Sequence, residues 1–180
     1  IEIKDIDRAF NIMLRAATSQ SQTDKLFAAN IKAADGLRSG DDSKPARMLK
    51  GVTIRHRDWL KLDEQRHRMR WKWHEYFIDY DLMLCPVFGK AAFPHDPTPP
   101  YERMMTVNGK NIPFNTMLFW AGFTGLTYLP SSVAPIGFTK SGLPVGVQIV
   151  GPQYGDKTCL HFARLLEKEY QAFVAPPGYD

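Results

Sequence analysis

A chain of 180 residues, 44% of them hydrophobic, can bury about 70% of the surface its unfolded form exposes, which excludes a disordered polypeptide. The formal charge of +4 is mild and arises mostly in residues 55–72, where seven Arg or Lys face three Asp or Glu; a local excess on one helix reads as a solvated face rather than a polyanion site. Cys85 and Cys159 alone build neither a disulfide framework nor a zinc site, and as reduced core thiols they fit a cytoplasmic protein.

The first residue, Ile1, already stands in a helical pattern that runs to Leu14, and no leader precedes it, so the chain is expected to begin part-way through a longer polypeptide. Ile6, Phe10 and Leu14 recur at helical spacing, with Asp5 and Asp7 where negative charge suits a helix N-terminus. A second helix is predicted from Asp24 to Gly36, carrying Leu26, Phe27 and Ile31. Arg38 to Pro45 is polar and rich in turn formers and reads as a surface loop.

From Thr53 to Tyr80 the spacing predicts one long helix, with Trp59, Leu62, Met69, Trp73, Phe77 and Tyr80 on one stripe and Arg66 filling its gap. Trp71 is left unexplained by that stripe and is a candidate for docking on a partner subunit or on further polypeptide. Leu82 to Val87 suits a buried, central strand, and a long helix leading into it points to an α/β arrangement. Pro94, Pro97, Pro99 and Pro100 make the following segment an extended loop. Phe114 to Gly122 supplies an apolar helix, with Gly122 and Gly125 permitting a close or left-handed backbone after it. Two apolar runs flanking Ser141-Gly142 form a β-hairpin, and Asp156 is a candidate N-cap for a last helix whose Leu160, Ala163, Leu166 and Tyr170 face inward. The longest apolar run, Met117 to Phe123, is far short of a membrane span, so no transmembrane segment is expected.

The segments Asn108-Gly109-Lys110, Trp120-Ala121-Gly122, Leu129-Pro130, Pro135-Ile136-Gly137 and Gly142-Leu143-Pro144-Val145-Gly146-Val147-Gln148, with Gly151-Pro152 and Asp156 behind them, resemble in order and spacing the C-terminal part of the amidase signature family. The resemblance covers residues 53–170 well and the first fifty loosely. It implies the C-terminal part of a mixed, twisted α/β sheet sandwiched by helices, incomplete as given. Residues 1–180 are then one incomplete domain, with 1–52 as helices and a polar loop and 53–180 as the matching region.

The activity implied is hydrolysis of carbon–nitrogen amide bonds by a Ser, cis-Ser, Lys triad with no metal or organic cofactor, and with backbone N–H groups of a Gly/Ser-rich loop holding the oxyanion. In the family those groups belong to the N-terminal half, so no catalytic residue is expected in this chain, which alone should be inactive. Its implied partners are a small-molecule amide, the N-terminal half of the same protein, and a second copy in a homodimer; nucleic acid is not among them.

Element ends converging near a Gly-rich turn nominate Pro86 and Val87 at the strand end, Trp120 and Phe123 at the helix end, and Thr124, Leu126 and Leu129 in the turn that follows as pocket-lining residues. Each reads equally as core. The adjacent Ser131 and Ser132 invite assignment as catalytic, but no glycine-rich oxyanion loop surrounds them. His67 and His74 lie two helical turns apart, about 10.5 Å, too far to chelate one ion, and with His56 they read as solvated or capping. The other reading is a non-catalytic binding or subunit-interaction module built on the basic helical face and Trp71.

Overall fold

The computed structural model describes residues 2–179, apart from the Ile3 side chain, and divides into two units, one up to Lys72 and one from Trp73 onward. The first unit is helical. Helix α1 (Ile3–Thr18) runs a turn beyond the predicted Leu14, and the expected start at Ile1 lies outside the described residues. Its buried stripe is Ile6, Ala9 and Ile12 rather than Ile6, Phe10 and Leu14. The reason is a close helix crossing with α3 (Lys44–Val52), where a side chain on Gly51 would meet the Ile12 carbonyl at 2.6 Å and Arg15 Cβ at 2.7 Å. Such proximity selects small residues, here Ala9, Ala46 and Gly51.

Helix α3 is absent from the sequence reading, which ended the polar loop at Pro45. Ser43 caps it, its hydroxyl accepting from the Ala46 N–H at 3.4 Å, and Pro45 sits in the first turn where its missing N–H is harmless. Helix α2 (Asp24–Asp35) starts as expected behind a Thr23 cap, yet Leu26, Phe27 and Ile31 are exposed. An ion network joins the loop to α1 and α3: Arg47 donates to Asp7 at 3.0 Å and to Asp42 at 2.8 Å, and Arg8 donates to Asp42 at 3.1 Å.

Helix α4 (His56–Asp79) matches the long predicted helix. Leu62 and Met69 are buried, whereas Tyr80 falls outside the helix and is exposed. Its charges pair along the helix surface, Arg68 with Glu64 at 3.2 Å, Lys61 with Asp58 at 3.4 Å, and Arg66 with Asp63. The basic excess is thus partly neutralised within its own face.

In the second unit, β1 (Met83–Pro86), β4 (Ser131–Phe138) and β5 (Pro144–Val150) make a three-stranded antiparallel sheet in the order β1-β5-β4. The expected hairpin is β4–β5. Its turn closes with Thr139 N–H donating to the Leu143 carbonyl at 2.8 Å, and Gly142 takes the left-handed conformation (φ 81) that favours glycine. Ile136 is an extra residue between Pro135 and Gly137, a bulge that bends β4.

Helix α6 (Asp156–Glu169) packs on the face formed by Ala134, Val147 and Ile149, with Cys159, Phe162, Ala163 and Leu166 turned inward. Leu160 and Tyr170, expected inside, are exposed, and Gly155 rather than Asp156 is the N-cap. β1 is an edge strand here and not the buried central strand predicted: Leu84, opposite Ile149 in register, is 51% exposed because α6 lies over β4 and β5.

Two further differences concern the middle of the chain. The Asn108-Gly109 pair, with φ of 50 and 74, turns a second hairpin, β2 (Met104–Val107) and β3 (Lys110–Pro113), between the expected proline-rich loop and the expected helix from Phe114, where no element was predicted. The helix expected over Phe114–Gly122 is a 3-10 turn (Phe114–Leu118) followed by α5 (Phe119–Thr127). Both glycines stay inside α5, and the left-handed cap falls on Tyr128 (φ 59). None of the described helices is long and apolar enough to cross a membrane.

Candidate functional site

One polar and aromatic cluster of the second unit lies around α5. On the sheet face opposite α6, Gln148 is 5% exposed, and its amide Nε2 donates to the Trp120 carbonyl at 3.3 Å, fastening β5 to α5. Phe123 is buried in an aromatic cluster with Trp73, Phe119 and Trp120, at ring-centroid distances of 5.8, 6.1 and 6.2 Å. Within α5 the Thr127 hydroxyl donates to the Phe123 carbonyl at 2.8 Å and that of Thr124 to the Ala121 carbonyl at 3.1 Å, so both threonines are satisfied locally.

Where α5 ends, the chain reverses. Leu129 N–H donates to the Thr124 carbonyl at 3.1 Å, and Gly151 N–H donates to the Pro130 carbonyl at 3.1 Å. An open cleft of about 530 Å³ lies beside this reversal, lined among others by Thr124, Tyr128, Leu129, Gln153, Tyr154 and Asp156. Tyr128 and Tyr154 both hold left-handed backbone conformations, φ 59 and 65, which cost a side-chain-bearing residue about 1–2 kcal/mol each.

Of the residues nominated from sequence, Thr124 and Leu129 therefore share one cleft. Phe123 and Leu126 are buried in the core, and Trp120 is half-buried beside Phe123. Thr124 and Leu126 belong to α5 itself rather than to the turn after it. Pro86 and Val87 are not brought to the cleft. Pro86 pairs with Val147, level with Ala134, whereas Leu129 precedes Ser131 at the level of Val150, three residues or about 10 Å along the sheet. At that other end Val87 borders Gly146, whose absent side chain would meet Val133 at 3.1 Å and Val87 at 3.7 Å.

Sequence reasoning did not single out Gln148, although a lone amide in the apolar run Val145–Val150 is the pattern of a buried hydrogen-bonding group. The strained tyrosines carry no such signal, since tyrosine has no preference for a left-handed backbone.

Burial raises the Cys85 thiol to about 11 and pushes that of Cys159 up as well, so both stay protonated near neutrality. Ser131 and Ser132 stand on β4 opposite Val150 and Ile149, and among the described residues neither hydroxyl has a hydrogen-bond partner. His67 Nδ1 lies 2.9 Å from the Asp63 carbonyl, and the His56 ring lies parallel to that of Trp59. The described residues hold no group of three or more His, Cys, Asp or Glu able to bind a metal.

A sequence model of the Amidase family matches residues 3–160. The chain belongs to the amidase family. Among its relatives, a glutamyl-tRNA(Gln) amidotransferase subunit of Myxococcus xanthus is 28% identical over 177 residues, covering 81% of this chain and 34% of the relative. The namesake subunit of Wolinella succinogenes is 31% identical over 110 residues, covering 61% of this chain and 22% of the relative. The chain thus spans about a third or less of the curated relatives it matches.

Solved structures share the fold. A crystal structure of an amidase superposes with a TM-score of 0.64 at 17% identity over 93% of this chain and 36% of its own. The glutamyl-tRNA(Gln) amidotransferase subunit of Thermotoga maritima gives 0.61 at 20% identity over 100% and 37%. The amidase-family α/β fold expected from the hairpin motif is therefore the one present.

Proposed function

We propose that this chain supplies part of the scaffold and substrate-cavity wall of an enzyme that hydrolyses carbon–nitrogen amide bonds, and that the groups attacking the amide carbonyl lie on sequence outside these 180 residues. The reading is supported by one contrast. The family match extends over residues 3–160, yet the chain's adjacent serines sit on a β-strand with no hydrogen-bonded base among the described residues. A nucleophile, its base and oxyanion donors must converge on one point, and they do not converge at Ser131 and Ser132.

In the complete enzyme the nucleophilic serine oxygen attacks the carbonyl carbon while its proton passes through a bridging cis-serine to a neutral lysine. The leaving nitrogen departs protonated, and water then attacks the acyl ester and releases the acid. Residues 1–180 act as part of one larger domain. Pro86, Val87, Trp120, Phe123, Thr124, Leu126 and Leu129 contribute to the cavity wall, some by contact and the buried ones by fixing the backbone that lines it. The substrate is a small amide; the amidotransferase names of the relatives make a glutamine-type amide the first to assay. A complex with other subunits or a second copy is the natural setting, and the two buried, protonated thiols suit the cytoplasm.

The experiment is an amide-hydrolysis assay on the complete protein. Ser131→Ala and Ser132→Ala should leave kcat/KM within about twofold, whereas Trp120→Ala and Phe123→Ala should reorder the amide substrates. Loss of turnover in either serine variant would overturn the placement of the nucleophile, and an unchanged substrate ranking would overturn the wall.

A further inference from the structure

We propose that a cleft in the first unit binds a small apolar acid, a hydrocarbon body ending in a single carboxylate. The cleft measures about 770 Å³ and is built from residues 8–65 alone, within the 300–1,000 Å³ range usual for small-ligand sites. Its walls come from α1, α2, the loop after α2, the end of α3 and the start of α4. Ile12, Ile31, Leu37, Ile54 and Leu62 provide apolar surface, with Ile12 and Leu62 buried and Ile31 exposed.

Five cations line the same cleft, and they are not equally occupied. Arg8 is held by Asp42 at 3.1 Å, Lys61 by Asp58 at 3.4 Å, and the Lys50 ammonium donates to the Asp41 carbonyl. Among the described residues the guanidinium groups of Arg38 and Arg55 have no hydrogen-bond or ion-pair partner, and Asp35 is the one lining carboxylate left equally uncommitted. Two free guanidiniums, and the Lys50 ammonium held only by a neutral carbonyl, face one free carboxylate and leave a positive surplus beside an apolar wall. A monoanion with an apolar body satisfies both features. Inorganic phosphate would leave the apolar wall wet, and a neutral lipid would leave the guanidiniums unused. A guanidinium's planar fork matches a carboxylate's two oxygens, which favours a carboxylic acid.

The proposal does not rest on the hydrolase reading, because no residue of the cleft belongs to the second unit. Its test is titration calorimetry of the complete protein with decanoate below its micellar concentration, alongside acetate, which lacks the apolar body, and 1-octanol, which lacks the charge. Decanoate should bind saturably with one site, and acetate at least about tenfold more weakly. The R38A/R55A double variant should lose about tenfold or more in decanoate affinity while its 1-octanol binding stays within about twofold. Both arginines are exposed and unpaired, so their removal leaves no orphaned partner to unfold the chain, and Arg38→Lys with Arg55→Lys should restore part of the affinity. Absence of saturable decanoate binding, equal binding of acetate, or wild-type affinity in the double variant would each overturn the proposal.

Discussion

Gly151 offers a direct measurement of how tightly α6 is seated. Its backbone is not in the left-handed region, so space and not φ is what a side chain there would meet. A Cβ at Gly151 would lie 2.6 Å from Cys159 Sγ, 3.3 Å from the Gly155 carbonyl oxygen and 3.7 Å from Leu82 Cδ2. Ordinary contact distances are about 3.5–4.0 Å, so the overlap with sulfur is about 1 Å, and the neighbours are a buried helix residue and backbone, neither of which can swing away. Gly151→Ala should therefore cost about 1–3 kcal/mol, the usual penalty for overpacking a filled core. Cys159→Ala removes the clashing atom at a cost of about 1 kcal/mol in lost burial. If the sulfur is the main obstacle, the double variant will be more stable than the sum of the two single losses by about 1–2 kcal/mol. Urea unfolding of all four proteins, with a common m-value, supplies the cycle. A coupling energy near zero would refute the reasoning and shift the burden to the Gly155 carbonyl.

Further outcomes follow from named contacts. Gln148→Leu should cost about 0.5–1.5 kcal/mol, because it removes the hydrogen bond that ties β5 to the Trp120 carbonyl; denaturant unfolding checks it. Gly109→Val, at φ 74, should loosen the β2–β3 hairpin by about 1 kcal/mol or more, visible as faster amide exchange over residues 104–113. Arg47→Met should cost about 0.5–1 kcal/mol at pH 7, a modest figure because the Asp42 side chain is 43% exposed. The hydrogen bond from Arg47, first among its neighbours, holds the Asp42 carboxyl below its ordinary 3.8. That stability is fully present above the unfolded-state value and is lost as pH falls through the lower folded-state value. The gap between wild type and Arg47→Met should thus close below about pH 4 in pH-resolved melting curves.

How far the fold was legible depends on the range over which each signal acts. The α4 helix and the β4–β5 hairpin declare themselves through local periodicity and a Ser-Gly turn, and both appear close to their expected bounds. Helix α3 was hidden because its N-terminal signal, Ser43 and Pro45, is also turn chemistry, and only the Ala46 N–H bonded to Ser43 shows which applies. The inward residues of α1 and α6 were displaced from the bulkiest candidates. At α1 a close crossing rewards Ala9 and Gly51, and at α6 the sheet receives Cys159 and Phe162 instead of Leu160. Periodicity identifies a stripe, but the partner's shape decides which residues of the helix fill it.

The site was less legible for a related reason. Thr124 and Leu129 line one cleft because they flank a chain reversal, and reversals are local. Pro86 and Val87 were grouped with them by sequence order around glycines, yet antiparallel register sends β1 the opposite way along β5. In that register Met83, not Pro86, stands level with the strand start that follows Leu129, since both Met83 and Ser131 pair with Val150. The cavity wall proposed above therefore has two ends, one around Val87, Gly146 and Val133 and one around Tyr128 and Tyr154. They are separable by experiment. Val87→Ala and Tyr154→Ala, assayed on amides of increasing length in the complete enzyme, should each affect a different part of the length series if both ends meet substrate. A length profile that departs from wild type in only one of the two variants would mean that only that end of the sheet contributes to recognition.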